Sequence, residues 1–185
     1  LAQLDLLVGD VRGNCARVRE AARRAREQGA DLVVFPELTL CGYPPEDLLF
    51  HRGLRIQVEQ ALAELERDVS DPAAGLPAIL VGYPEYEGAA GTRIFNSASL
   101  LAAGMARQNY RKNCLPNYRV FDEKRYFEPG DSPTVVSLGG VRLGLSICED
   151  IWQSQPAQAA RAAGAEVLLV INASPYEQRK QRERE

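Results

Sequence analysis

Apolar residues recur along this chain in two rhythms, and the switching between them predicts most of its elements. Val141, Leu143, Leu145 and Ile147 alternate with smaller or polar residues, the period-two signature of a strand. Residues 32–35 form a continuous apolar run, as a strand buried on both faces should. Leu54, Val58, Ala61, Leu62, Leu65 and Val69 recur at helical spacing and predict an amphipathic helix over 54–70. The same spacing in Val18, Ala21, Ala22 and Ala25 predicts a helix over 14–28, with Asn14 as its N-cap and Gly29 just past its end. Further strands are predicted at 1–8, 78–83 and 167–173. Paired runs at 95–101 and 105–111, and at 134–138 and 141–147 around Gly139-Gly140, predict two hairpins. An alanine-rich helix should open near Pro156 and end at Gly164. Residues 38–50, with Gly42, Pro44 and Pro45, and residues 112–132 read as irregular, and the charged tail from Glu177 as the start of a further helix.

The order is βαβαβ, two hairpins, then αβ. Helices alternating with strands, with hairpins inside the same unit, imply a layered α/β sandwich rather than a purely parallel sheet. With 185 residues, 45% of them hydrophobic, the chain can bury one sizeable core. No internal repeat or linker divides it. A net charge of -3, with scattered Lys and Arg, gives no reason to expect nucleic acid. No apolar run approaches the roughly 20 residues of a membrane span, and no signal-peptide pattern is present, so the expected location is cytoplasmic. Cysteines at 15, 41, 114 and 148, with no C-x-x-C pair and His51 as the one histidine, argue against a zinc site. Reduced thiols are the simplest account, and no metal is expected.

The candidate chemistry lies where strands stop. The strand over 141–147 ends at Cys148, followed by Glu149, Asp150 and Trp152. A side chain at that rim can meet a substrate while the next backbone N–H groups face a developing oxyanion. A buried structural cysteine is the competing reading. A cysteine nucleophile needs a base, most often histidine, and His51 sits at a helix entry with no sequence link to Cys148. Neither a G-x-x-x-x-G-K-[ST] phosphate loop nor a G-x-S-x-G serine elbow occurs. The base must then be a carboxylate and its electrostatic partner a Lys or Arg. Glu37 and Lys112, at the ends of two other strands, are the candidates.

The segments FPELTLCGYPPEDLL (35–49), YRKNCLPNYRVFDEKRYFEPG (110–130), SICEDIW (146–152) and NASPY (172–176) resemble the Glu, Lys and Cys motifs of the nitrilase superfamily. Within it they are similar to the glutaminase domains of glutamine-dependent NAD synthetases. The resemblance implies a four-layer αββα sandwich, dimerising through its helices, with residues 1–185 as a nitrilase-like glutamine amidohydrolase domain. It implies Glu37 as general base, Lys112 as oxyanion-stabilising cation that also favours the thiolate, and Cys148 as nucleophile. Glu123 matches a second glutamate that orients the lysine and water. Tyr43, Tyr118, Glu149, Ser174 and Lys180 align with substrate-holding positions. The implied partners are glutamine, a synthetase domain in the same polypeptide and further copies of the chain. ATP and magnesium are implied for that synthetase domain and no cofactor for this one. The family's domain continues past this point, so the fold is expected to be truncated at its C-terminus, with sheet edges left open. A free-standing amidase for another small amide and a non-catalytic scaffold are the competing readings.

Overall fold

The computed structural model describes residues 1–88 and 91–174. The elements in chain order are α1 (Val11–Glu27), β1 (Leu32–Val34), α2 (Arg52–Ser70), β2 (Ala78–Glu87), β3 (Arg93–Leu101), β4 (Gln108–Arg111), β5 (Val135–Leu138), β6 (Val141–Ile147), α3 (Ser154–Ala162) and β7 (Val167–Ile171). Single 3-10 turns lie at Glu46–Phe50, Glu123–Arg125 and Cys148–Trp152. The strands form two sheets, ordered β1-β2-β3-β4 and β5-β6-β7.

The layers follow from the two apolar faces of each central strand. Val33, Ile79, Val81 and Leu101 point outward into a core shared with Val11, Cys15, Val18 and Ala22 of α1 and Leu54, Val58, Leu62 and Leu65 of α2. Val34, Leu80, Ala98 and Leu100 point inward and meet Val136, Leu145, Ile147 and Ile171 of the second sheet. Helix α3 covers that sheet's far face closely. A Cβ at Gly144 of β6 would lie 2.9 Å from Leu168 Cδ2 and 3.2 Å from Ala160 Cβ. The result is the expected αββα sandwich. All six apolar positions read for α2 are buried.

The chain turns as its local chemistry requires. Gly139 and Gly140 both take positive φ (57° and 84°), the conformation that closes a two-residue hairpin between β5 and β6. The β3–β4 hairpin also forms, although β4 begins at Gln108 rather than Met105. Strand β2 runs on to Glu87 and pairs with β3 from Ile79 to its end. Two expectations fail. Residues 1–8 are not a strand: Ala2 N–H reaches Val34 O at 3.0 Å, but no ladder develops. Alternation of side chains survives there without a paired backbone. The cap of α1 is Asp10, whose Oδ1 accepts Gly13 N–H at 2.9 Å, and the helix starts three residues before Asn14. Asn14 is instead buried, receiving Leu7 N–H at 3.0 Å and donating to Leu7 O at 2.8 Å.

Candidate active site

Strand direction brings the candidate residues together. β1 pairs parallel with β2, and β3 runs antiparallel to both β2 and β4. The C-terminal ends of β1 and β4 therefore share one end of the first sheet, and Glu37 and Lys112 follow them. β6 and β7 are parallel, so Cys148 and residues 172–174 leave the second sheet together. Two hydrogen bonds join the ends of the sheets: Glu37 N–H to Asn172 O at 3.4 Å, and Ala173 N–H to Glu37 Oε2 at 3.1 Å. Gly82 of β2 lets the turn carrying Glu37 sit on the sheet, since a Cβ there would lie 2.6 Å from Leu38 N.

At this junction Lys112 is fully buried between two carboxylates. Its Nζ donates to Glu37 Oε1 at 2.7 Å and to both oxygens of Glu123, at 2.9 and 2.8 Å. Burial opposes the ammonium charge, but Glu37 and Glu123 together outweigh it and push the Lys112 pKa up. Two carboxylates against one ammonium leave a buried excess negative charge. Burial first, then the nearby Glu37 carboxylate, raises Glu123 from the ordinary 4.5 to about 7, against the pull of Lys112 and Tyr43. The folded protein thus holds this proton more tightly than the unfolded chain does. The stabilisation is fully present below about 4.5 and is lost as pH rises through about 7. Thermal midpoints measured from about pH 5 to about pH 8 should fall in the wild type and fall less in Glu123→Gln. Equal slopes in the two proteins would show that this carboxyl is not the group that titrates.

Cys148 sits at the start of the 3-10 turn after β6, with φ of 45°. A non-glycine residue in that region costs of order 1–3 kcal/mol, which the surrounding structure must offset. Asp150 supplies much of the restraint. Fully buried, it accepts Ile147 N–H and Tyr110 O–H through Oδ2 (3.1 and 2.9 Å) and Asn113 N–H and Cys114 N–H through Oδ1 (3.1 and 2.7 Å). One carboxylate thereby ties the strand end before Cys148 to the chain just after Lys112. Burial raises the Cys148 thiol to about 12; Glu37 adds to the rise, while Lys112 and Ser174 oppose it. Lys112 does favour the thiolate, as expected of an ammonium, but burial and Glu37 outweigh it. The sulfur is a protonated thiol at neutral pH. All four cysteines are free.

The remaining site candidates fall into two groups. Tyr43 lies behind the ion cluster, its OH donating to Glu123 Oε1 at 3.2 Å. Ser174 lies beside the thiol, with Oγ 3.9 Å from Cys148 Sγ. Tyr118 is half exposed and donates to Glu149 Oε2 at 2.7 Å on the outer side. A cleft of 910 Å³ opens there, lined by Asn113, Cys114, Tyr118, Glu149 and Ser154 among others, and Cys148 is not part of its wall. A second cleft of 840 Å³, around Phe50, Arg55 and Tyr126, touches none of the site candidates. Lys180 lies outside the described residues. His51 is exposed at the entry of α2 and lines that second cleft. Among the described residues, no group of three or more His, Cys, Asp or Glu is placed to hold a metal ion.

Sequence reading missed two participants. Asp150 left a faint signal, an acidic residue three positions after the last strand residue, where it can return to that residue's N–H. Asn96 left none. It is an interior strand residue, fully buried, and its Nδ2 donates to Glu37 Oε1 at 2.8 Å.

A two-sheet αββα sandwich with a thiol, an ammonium and two carboxylates at the shared end of both sheets defines a nitrilase-type protein. The model of the carbon-nitrogen hydrolase family matches residues 1–184, and the chain belongs to that family. It is 45% identical over 188 residues to the glutamine-dependent NAD(+) synthetase of Xanthomonas campestris pv. campestris, covering 100% of this chain and 33% of that protein. Among solved structures it superposes on glutamine-dependent NAD+ synthetase from Acinetobacter baumannii with a TM-score of 0.90 at 36% identity, covering 100% of this chain and 34% of the other. An amidase from Nesterenkonia sp. AN1, solved after addition of acrylamide at its active-site cysteine, matches with a TM-score of 0.82 at 30% identity over 95% of this chain and 66% of that one. The chain spans about a third of the length of the curated relatives it matches. No helix among the described residues is long and apolar enough to cross a membrane.

Proposed function

We propose that residues 1–185 form the glutamine-hydrolysing domain of a glutamine-dependent NAD synthetase, releasing ammonia from the glutamine side chain through a Cys148 thioester. The observation that carries this reading is the buried Glu37–Lys112–Glu123 cluster beside a cysteine held at positive φ. Cys148 Sγ loses its proton to Glu37 as it attacks the carboxamide carbon. The oxyanion is held by Lys112 and by the backbone N–H of Glu149. The C–N bond then breaks as Glu37 returns the proton to the departing nitrogen, leaving ammonia and the thioester. Water attacks next, giving its proton to Glu37. The released thiolate regains that proton, and glutamate departs.

Among the described residues, the hydrogen bonds of Lys112 Nζ all go to carboxylates, two of them to Glu123. To reach an oxyanion the ammonium must give up one Glu123 oxygen while keeping the other. Glu123 therefore holds Lys112 without immobilising it. Tyr118, Glu149, Ser174 and Lys180 are proposed to hold the amino acid part of the substrate, and Tyr43 to support Glu123. The ammonia would pass to a synthetase domain using ATP and magnesium; no residue of this chain is assigned to either. Assembly of several copies, through their helices, belongs to the same proposal.

The likeness to the Nesterenkonia amidase supports a second reading, hydrolysis of another small amide. Comparing glutamine with simple aliphatic amides separates the two. Glu37→Gln tests the chemistry common to both. It is nearly isosteric but cannot accept the thiol proton, so turnover should fall by about 10²- to 10⁴-fold. Cys148 should still react, more slowly, with a strongly electrophilic glutamine analogue. Turnover near wild type would move the base to another group, Glu123 first.

A further inference from the structure

We propose that Asn96 is a positioning residue that selects which oxygen of Glu37 takes the proton from Cys148. The proposal rests on the reading of Glu37 as the base. Asn96 holds both partners of the buried ion pair. Its side-chain Nδ2 donates to Glu37 Oε1 at 2.8 Å, and its main-chain carbonyl accepts Lys112 N–H at 2.8 Å. The two oxygens of Glu37 are consequently unequal. Oε1 accepts from both Asn96 Nδ2 and Lys112 Nζ, at 2.8 and 2.7 Å. Oε2 accepts from Ala173 N–H alone among the described residues, at 3.1 Å. Each donor lowers the proton affinity of the oxygen it binds. Oε2 is the oxygen with the fewer donors, and it faces the segment that carries Ser174, the hydroxyl beside Cys148 Sγ.

The orientation of the amide is not interchangeable. Turning it over would set Oδ1 against the Glu37 carboxylate, acceptor against acceptor, next to a cluster already in excess of negative charge. Oδ1 accordingly has no hydrogen-bond partner among the described residues, the one buried side-chain polar atom there without one. An unpaired buried carbonyl is destabilising, because it has lost its water partners and gained none in the fold. A residue kept only for packing would avoid that cost with an apolar side chain of similar volume. Keeping the amide is explained by what its other end does to Glu37.

The test uses Asn96→Ala and Asn96→Asp, with two readouts over a range of pH: glutamine hydrolysis, and alkylation of Cys148 by iodoacetamide, which needs no glutamine. The acid-side inflection of both profiles should move to higher pH in Asn96→Ala, since a hydrogen-bond donor to a carboxylate has been removed. The kcat for glutamine should fall about tenfold with KM within about twofold, since the amide touches the base and not the substrate. Asn96→Asp can donate only while protonated, so its activity should recover at the acidic end and fall as pH rises. A merely structural Asn96 would lower the thermal midpoint and the fraction of active protein without moving either inflection, and that result would overturn the proposal. If the alkylation inflection moves while the wild type fails to hydrolyse glutamine, the substrate assignment is wrong and the role of Asn96 stands.

Discussion

Cys148→Ala should reduce glutamine hydrolysis to background, a loss of at least about 10³-fold, while the protein still folds. The loss is large because no other group in the cluster can form a thioester: its members are two carboxylates and an ammonium already bonded to each other. Folding survives for reasons particular to this position. Cys148 contributes a single sulfur at the rim, so the space left behind is small and should cost about 1 kcal/mol. Alanine meets the same strain at φ of 45° as cysteine does, so the backbone has no new reason to move. Since the resting sulfur is a neutral thiol, its removal leaves the charge balance of Glu37, Lys112 and Glu123 as it was. The pH dependence of stability should therefore match the wild type. Glutamate released at a normal rate by the alanine variant would show that the nucleophile is a different residue.

Lys112→Met should be the most damaging single substitution for stability. It keeps the length of the side chain and removes the only cation bonded to Glu37 and Glu123 among the described residues. Two neighbouring buried carboxylates cannot both stay ionised, and breaking a buried ion pair by deleting one partner costs about 3–5 kcal/mol. The sign of the pH effect is fixed. In the variant, the folded state holds protons on these carboxyls more tightly than the unfolded chain, so the deficit is largest at neutral pH and shrinks toward about pH 5. Urea midpoints at about pH 5 and about pH 8 measure it directly. A deficit of equal size at both would place the loss in packing rather than in charge. Lys112→Arg should fold better yet lose most activity, because a planar fork cannot reproduce the compact ammonium contacts with Glu37 and Glu123. Activity near wild type in the arginine variant would show that only the charge matters.

The elements that were legible in the sequence are those whose signal is local. Helix α2 carries its buried stripe in its own residue spacing, and the Gly139-Gly140 turn carries its own backbone freedom. Strand identity was less legible, because a strand exists only with a partner. Residues 1–8 alternate like a strand but lack a paired backbone, whereas β2 extends past Tyr83 because β3 lies beside it for nine residues. The start of α1 turned on a choice between two good capping residues. Asp10 took the cap because Asn14 was drawn inward to bind the main chain of Leu7.

By itself the sequence determined the layered α/β class and the positions of Glu37, Lys112 and Cys148 just beyond strand ends. Each follows from periodicity or composition along one stretch of chain. Tertiary structure alone decided which charges compensate one another and how strongly the thiol holds its proton. It also assigned Asp150 and Asn96 to the site. These depend on contacts between segments far apart in the chain: Asn96 meets Glu37 across 59 positions, and Asp150 meets Cys114 across 36. Desolvation and hydrogen bonding act through space, so a polar residue inside a strand reads the same in sequence whether it faces a carboxylate or nothing.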